Sequence, residues 1–213
     1  MSRRPESPDH GLTEPAQSAG AEAALVQACR DGDPRALERF YRAHVDRVTR
    51  VIGRLVGPTP DLEDLVQATF IETLRSFARF RGEASLGTWV IRIGVNVARH
   101  HLRRGVRRPA PLELVPDADA PTGAAAVDEA FDDQRIAARV HLLLDRLSPP
   151  KRIAFLLHVL EGYSVDEVAA LTGSGRAATK SRIWWARREV LKLARRDPLL
   201  MELAAAHEDK ERR

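Results

Sequence analysis

Between Ser164 and Arg196 the sequence spells two helices and the tight turn between them. Ser164 can cap a helix whose third residue, Glu167, closes a capping box, and Tyr163 and Val168 take the two places of a hydrophobic staple. The helix so begun carries Val165, Val168, Ala169 and Leu171 and stops at Gly173. After Ser174-Gly175 a longer helix runs from Arg176 to Arg196. Two helices on a glycine-containing turn, the second strongly basic, have the form of a DNA-binding helix-turn-helix.

Within the second helix Thr179, Ile183, Ala186, Val190 and Leu193 recur at three- and four-residue steps and form its buried stripe. Arg176, Lys180, Ser181, Trp184, Arg187 and Arg188 fall outside that stripe, and Glu189 is the only acid between Arg176 and Arg196. A merely solvated helix interleaves acids with bases as stabilising pairs. This one does not, which favours a polyanionic partner.

Upstream, residues 1–20 hold Pro5, Pro8, Pro15, Gly11 and Gly20 without a core-forming pattern and are expected to be disordered. Helix-forming sequence starts near Ala21. Asp33-Pro34 reads as an N-cap with proline at the first helical position. Leu37, Phe40, Tyr41, Val45, Val48, Val51, Ile52 and Leu55 then keep helical period until Gly57-Pro58-Thr59-Pro60. Asp61 is the expected cap of the next helix, with a buried stripe of Leu62, Leu65, Val66, Ile71, Leu74 and Phe77. Its opposite face offers Glu63, Asp64, Gln67, Thr69, Glu72 and Thr73.

A loop from Arg79 to Ala84 leads through Ser85 into a third helix, Leu86 to Arg104, whose apolar stripe reads Leu86, Trp89, Val90, Ile93 and Val97. Arg92, Asn96, Arg99 and Arg103 line up on a different face, and no acid lies between Ser85 and Arg108. Arginines on one face suit phosphates, and an asparagine among them suits a base edge. Residues 106–130, rich in proline, aspartate and alanine, read as a flexible linker. Helical pattern resumes from Val127 to Leu147 and again after Ser148-Pro149, and the helix-turn-helix completes a second bundle over 131–197. The tail, 198–213, carries no assignable role.

The expected fold is all-α: two small helical bundles, the first over 21–105, joined by a flexible linker. No stretch is apolar and long enough to span a bilayer, and the N-terminus has no secretory pattern. The one cysteine, Cys29, excludes an internal disulfide and points, with the rest, to the cytoplasm. The seven histidines fall at no metal-ligating or catalytic spacing, so neither an enzyme nor a cofactor is expected.

Three strings carry a resemblance. They are Asp-Leu-Val-Gln-Ala-Thr-Phe at 64–70, Leu-Gly-Thr-Trp-Val-Ile-Arg-Ile-Gly-Val-Asn at 86–96 and Thr-Lys-Ser-Arg-Ile at 179–183. In this order and spacing they resemble the extracytoplasmic-function sigma factors of bacterial RNA polymerase, over about 22–105 and 131–196. The resemblance implies a subunit that binds core polymerase and directs promoter recognition, −10 melting and transcription initiation. Asp61, Asp64, Gln67, Phe70, Thr73 and Leu74 then become the polymerase-docking residues, facing the clamp of the largest subunit, with the flap as a further contact. Arg81, Trp89, Arg92, Asn96, Arg99 and Arg103 would meet the −10 element, where a flipped base is captured from single-stranded DNA. Arg176, Lys180, Ser181, Arg182, Trp184 and Arg188 would enter the major groove of the duplex −35 element. An anti-sigma partner is implied as well.

Three positions depart from the family pattern. Gly175 stands where a capping Ser or Pro is usual, Thr179 replaces a buried Val, and Trp185 occupies a place where Arg is common. A stand-alone helix-turn-helix regulator is the alternative reading; it would need neither the acidic face at 61–74 nor the second basic helix.

Overall fold

The computed structural model describes residues 16–105, 136, 138–197 and 201, and among these every regular element is helical. Helix α1 spans Ala16–Arg30, α2 Pro34–Val56, α3 Leu62–Ser76 and α4 Leu86–Gly105, with a 3-10 turn at Phe77–Arg79 between α3 and α4. Residues 138–144 form α5; α6 spans Pro149–Val159, α7 Val165–Thr172 and α8 Arg176–Ala194. Helices α1 to α4 pack on one another, and α6 to α8 do likewise. The expected linker at 106–130 and nearly all of the tail lie outside the described residues. Helix α1 begins at Ala16, inside the stretch expected to be disordered; Pro15 is the last proline before Pro34, so nothing after it breaks the helix.

Capping chemistry sets most of the boundaries. Asp33 Oδ1 accepts from the Arg35 amide at 2.9 Å with Pro34 opening α2. Ser164 Oγ accepts from the Glu167 amide at 3.2 Å, and the Glu167 carboxylate accepts from the Ser164 amide at 2.7 Å, which is the expected capping box. Gly173 closes α7 in the left-handed conformation, at φ 62°, where an L side chain would be strained. Asp61 does not cap α3. Its backbone is already helical, its carboxylate takes no amide of the first turn, and its own amide donates instead to Thr59 Oγ1 at 3.2 Å.

The buried face of α3 also differs from the expected one. Val66, Thr69, Phe70 and Thr73 are buried, whereas Ile71 and Leu74 are more than two-fifths exposed. Thr69 and Thr73, both 0% exposed, satisfy their hydroxyls on carbonyls one turn back: Thr69 Oγ1 donates to Leu65 O at 2.8 Å and Thr73 Oγ1 to Thr69 O at 2.7 Å. With the hydroxyls paired, their methyl groups pack as apolar surface. A Cβ at Gly94 of α4 would meet Thr69 Cγ2 at 3.4 Å and Ile52 Cδ1 at 3.3 Å, so the glycine lets α4 settle against both helices. The interior face of α4 is Leu86, Val90, Ile91, Gly94, Val95 and Ala98, leaving Ile93 and Val97 half-buried beside the arginine face.

The two bundles touch. Helix α7 rests on α4, and α6 reaches both α4 and α2. Arg47 Nη2 donates to Tyr163 Oη at 2.8 Å, Arg54 pairs with Glu161 at 2.6 Å, and Arg99 Nη1 donates to the Thr172 carbonyl at 3.3 Å. The buried apolar side chains of both halves form one continuous cluster.

Candidate nucleic-acid interface

Helix α8 buries Thr179, Ile183 and Ala186 against α6 and α7 and holds Val190 and Leu193 half-buried, as its spacing requires. Lys180, Ser181, Trp184, Arg187 and Arg188 are exposed on the other side. Its start carries no side-chain cap, because Gly175 has none to give; Thr179 Oγ1 donates back to the Gly175 carbonyl at 3.1 Å. Arg182 is only half-exposed and bonds Ser174 Oγ in the turn, so it braces the two helices. Arg176 pairs with Asp166 at 2.7 Å on the surface. Glu189, the lone acid, is taken by Lys151 of α6 at 2.6 Å, which leaves the outer face of α8 positive. Trp184 and Trp185 are each half exposed and meet edge to face with ring centres 4.6 Å apart, and the Arg188 guanidinium lies 4.8 Å over Trp184.

Helix α4 presents the second basic face. Arg92 and Arg103 are exposed, Asn96 and Arg99 partly so, and Arg81 projects from the loop before the helix. Arg99 Nη2 donates to Asn96 Oδ1 at 2.7 Å; since arginine only donates, this turns the asparagine amide nitrogen free to donate elsewhere. Trp89 lies against Phe77 and Phe80, its ring tilted 49° to each with ring centres 5.4 and 4.8 Å away, and is half-buried rather than presented. A groove between α3 and α4 is lined by Arg75, Arg79, Arg92, Asn96, Arg99 and His100. Two carbonyl bonds position this end of the bundle, from Arg30 Nε to Phe77 O at 3.0 Å and from Arg30 Nη2 to Phe80 O at 2.6 Å.

On α3, Asp61, Asp64, Gln67 and Leu74 are exposed together with Ile71. Phe70 and Thr73 are not available to a partner. Phe70 packs in the core against Phe40, and Thr73 has no exposed surface. Sequence spacing counted Ile71 into the core, and its exposure adds an apolar residue to this acidic face. Arg47, Arg54, Glu161 and Tyr163, which join the bundles, carry no sequence signal as a group, being scattered across 116 positions.

Sigma-70 region 2 matches residues 40–108 and Sigma-70 region 4 matches residues 137–195. RNA polymerase sigma-H factor of Pseudomonas aeruginosa is 30% identical over 84% of this chain and 95% of its own length. RNA polymerase sigma factor CarQ of Myxococcus xanthus is 36% identical over 74% and 88%, and the ECF RNA polymerase sigma-E factor of Escherichia coli 28% identical over 78% and 90%. The chain belongs to the extracytoplasmic-function sigma factors. It is an alternative sigma factor that directs transcription initiation, with a DNA-binding helix-turn-helix in region 4, and the reading as a polymerase-independent regulator is not favoured. Two solved structures share the fold: CnrH in complex with the cytosolic domain of CnrY, with a TM-score of 0.59 at 24% identity over 83% of this chain and 99% of that one, and the sigma factor RpoE of Bartonella quintana in complex with the anti-sigma factor NepR, at 0.53, 22%, 75% and 97%. Among the described residues no helix is long and apolar enough to cross a membrane.

Proposed function

We propose that region 2 and region 4 of this sigma factor divide the promoter between α4 and α8 while α3 holds the polymerase. The observation that carries this is the pair of acid-poor basic faces on two different bundles, with an acidic face on a third helix. The division puts domains at 21–105 and 131–197. Lys180, Ser181, Trp184 and Arg188 of α8 enter the −35 major groove, where an exposed Lys or Arg meets phosphate or guanine and the Arg188–Trp184 stack offers an apolar edge to thymine methyls. Arg176 and Arg182 act through the helix start and the turn. Arg81, Arg92, Asn96, Arg99 and Arg103 hold the −10 strand, and Trp89 supports the loop from behind.

The protein works by binding in the cytoplasm and performs no catalysis. Asp61, Asp64 and Gln67, flanked by Ile71 and Leu74, take the clamp of the largest polymerase subunit, with region 4 meeting the flap. An anti-sigma factor is the natural regulator, in keeping with the complexes of the two structural relatives. Replacement Asp64→Arg reverses charge at an exposed site on the proposed docking face. Core polymerase should no longer pull down this variant, while its thermal unfolding stays that of the wild type. Wild-type affinity for core would remove the docking assignment.

A further inference from the structure

Helix α1 lies outside the Sigma-70 region 2 match, which begins at residue 40, yet it holds both ends of the loop that leads into α4. At the near end Arg30, the last residue of α1, donates from Nε to Phe77 O at 3.0 Å and from Nη2 to Phe80 O at 2.6 Å. At the far end the Glu22 carboxylate accepts from the amide of Leu86, the first residue of α4. Glu22 and Arg30 are eight positions apart on one helix, about 12 Å along its axis. A single rigid element therefore sets the gap that the loop must span. Between the two anchors Arg81, Gly82, Glu83 and Ala84 are exposed and make no hydrogen bond to another described residue. Their course is fixed by where their ends are held.

Each anchor suits its place. A guanidinium is a planar fork and can hold two carbonyls in a fixed relation, which the point charge of a lysine cannot. The two carbonyls it holds bracket the 3-10 turn Phe77–Arg79, and the rings of the same two residues lie against Trp89 of α4. Glu22 brings negative charge to one of the free amides at the start of α4, where the helix dipole is positive. The brace is itself seated, because Val26 and Cys29 of α1 are buried in the core.

We propose that Arg30 and Glu22 are positioning residues for capture of the −10 strand: they act through the loop at 81–84, holding it where Arg81 and the arginine face of α4 meet the unstacked bases. The inference rests on the assignment of Arg81 and that face to the −10 element. Freed of either anchor, the loop takes many courses, and each capture must then bear the entropy of ordering it. The loss falls on discrimination among −10 bases. Affinity for polymerase, which belongs to α3, does not change with it.

The test uses holoenzymes of the full chain carrying Arg30→Met, Arg30→Lys, Glu22→Ala or Glu22→Gln. Fluorescence anisotropy reads binding of the single-stranded −10 non-template strand of a promoter chosen by run-off transcription, and of the same strand with each base replaced in turn. Wild-type holoenzyme should prefer the chosen strand by about tenfold at its most sensitive base. Arg30→Met, Arg30→Lys and Glu22→Ala should each lose most of that preference, and Glu22→Gln, which keeps an acceptor, should retain it. Core affinity and the salt slope of strand binding should stay those of the wild type, since neither residue meets a phosphate. Full preference in Arg30→Met and Glu22→Ala, rescue by Arg30→Lys, a lowered salt slope, or core affinity lost in step with strand binding would each overturn the positioning role. A wild-type holoenzyme indifferent to every base of the strand would remove the −10 assignment and this role with it, whereas wild-type preference that survives loss of both anchors removes the role alone.

Discussion

Thr69 and Thr73 show how a single hydroxyl can mislead a reading by polarity. Both look like surface residues by type and both are fully buried, because each hydroxyl is spent on its own helix and only the methyl faces the neighbours. Thr73→Val should therefore change stability by about 1 kcal/mol or less, since shape is kept and no partner is stranded. Thr73→Glu, burying an unpaired carboxylate, should cost several kcal/mol; urea unfolding of the two variants reads the contrast. His44 and His141 behave as a pair in another sense. Burial, first, and then a neighbouring arginine, Arg47 for His44 and Arg152 for His141, hold both below the ordinary histidine range, with Asp145 opposing at His141. A base held low in the fold takes its proton later than the unfolded chain does. Stability from these residues is thus complete above about pH 6.5, the unfolded value, and declines as the pH falls toward the folded ones. Melting temperature should drop between pH 7.5 and 5.5, and His141→Gln should flatten part of that drop.

Helices α8 and α4 carry the DNA-binding account at the next scale. Each phosphate contact releases counterions, so removing one cation lowers the slope of log affinity against log salt by about one. Lys180→Ala and Arg92→Ala should each weaken promoter binding by the holoenzyme and each reduce that slope by about one, measured by fluorescence anisotropy from 50 to 200 mM salt; an unchanged slope would take that residue off the DNA. The helix-turn-helix was legible in sequence down to its capping box because caps, glycine stops and a three-four stripe are local signals, set within a few residues of one another. Helix α3 was legible only as a helix. Which way it rolls depends on Gly94 and Ile52 receiving Thr69 from other elements, and no pattern inside α3 reports that. As a result Asp64 and Gln67 are exposed as their spacing predicts, while Phe70 and Thr73, expected on the same face, are buried by the packing.

For the molecule as a whole, the all-helical architecture in two bundles follows from periodicity and punctuation, and the two sigma regions from the strings at 64–70, 86–96 and 179–183, but the contact between bundles follows from neither. Arg54 and Glu161, or Arg47 and Tyr163, are ordinary residues more than a hundred positions apart until the fold brings them together. That contact sets α7 against α4 and α6 against α2 and α4. The central claim is that this one subunit supplies start-site choice to an enzyme that otherwise has none. Run-off transcription with bare core polymerase and a library of genomic promoters measures it directly. Addition of the purified protein should produce discrete transcripts from a restricted promoter set, lost with Asp64→Arg, whereas the same unselective background with and without the protein would contradict the account.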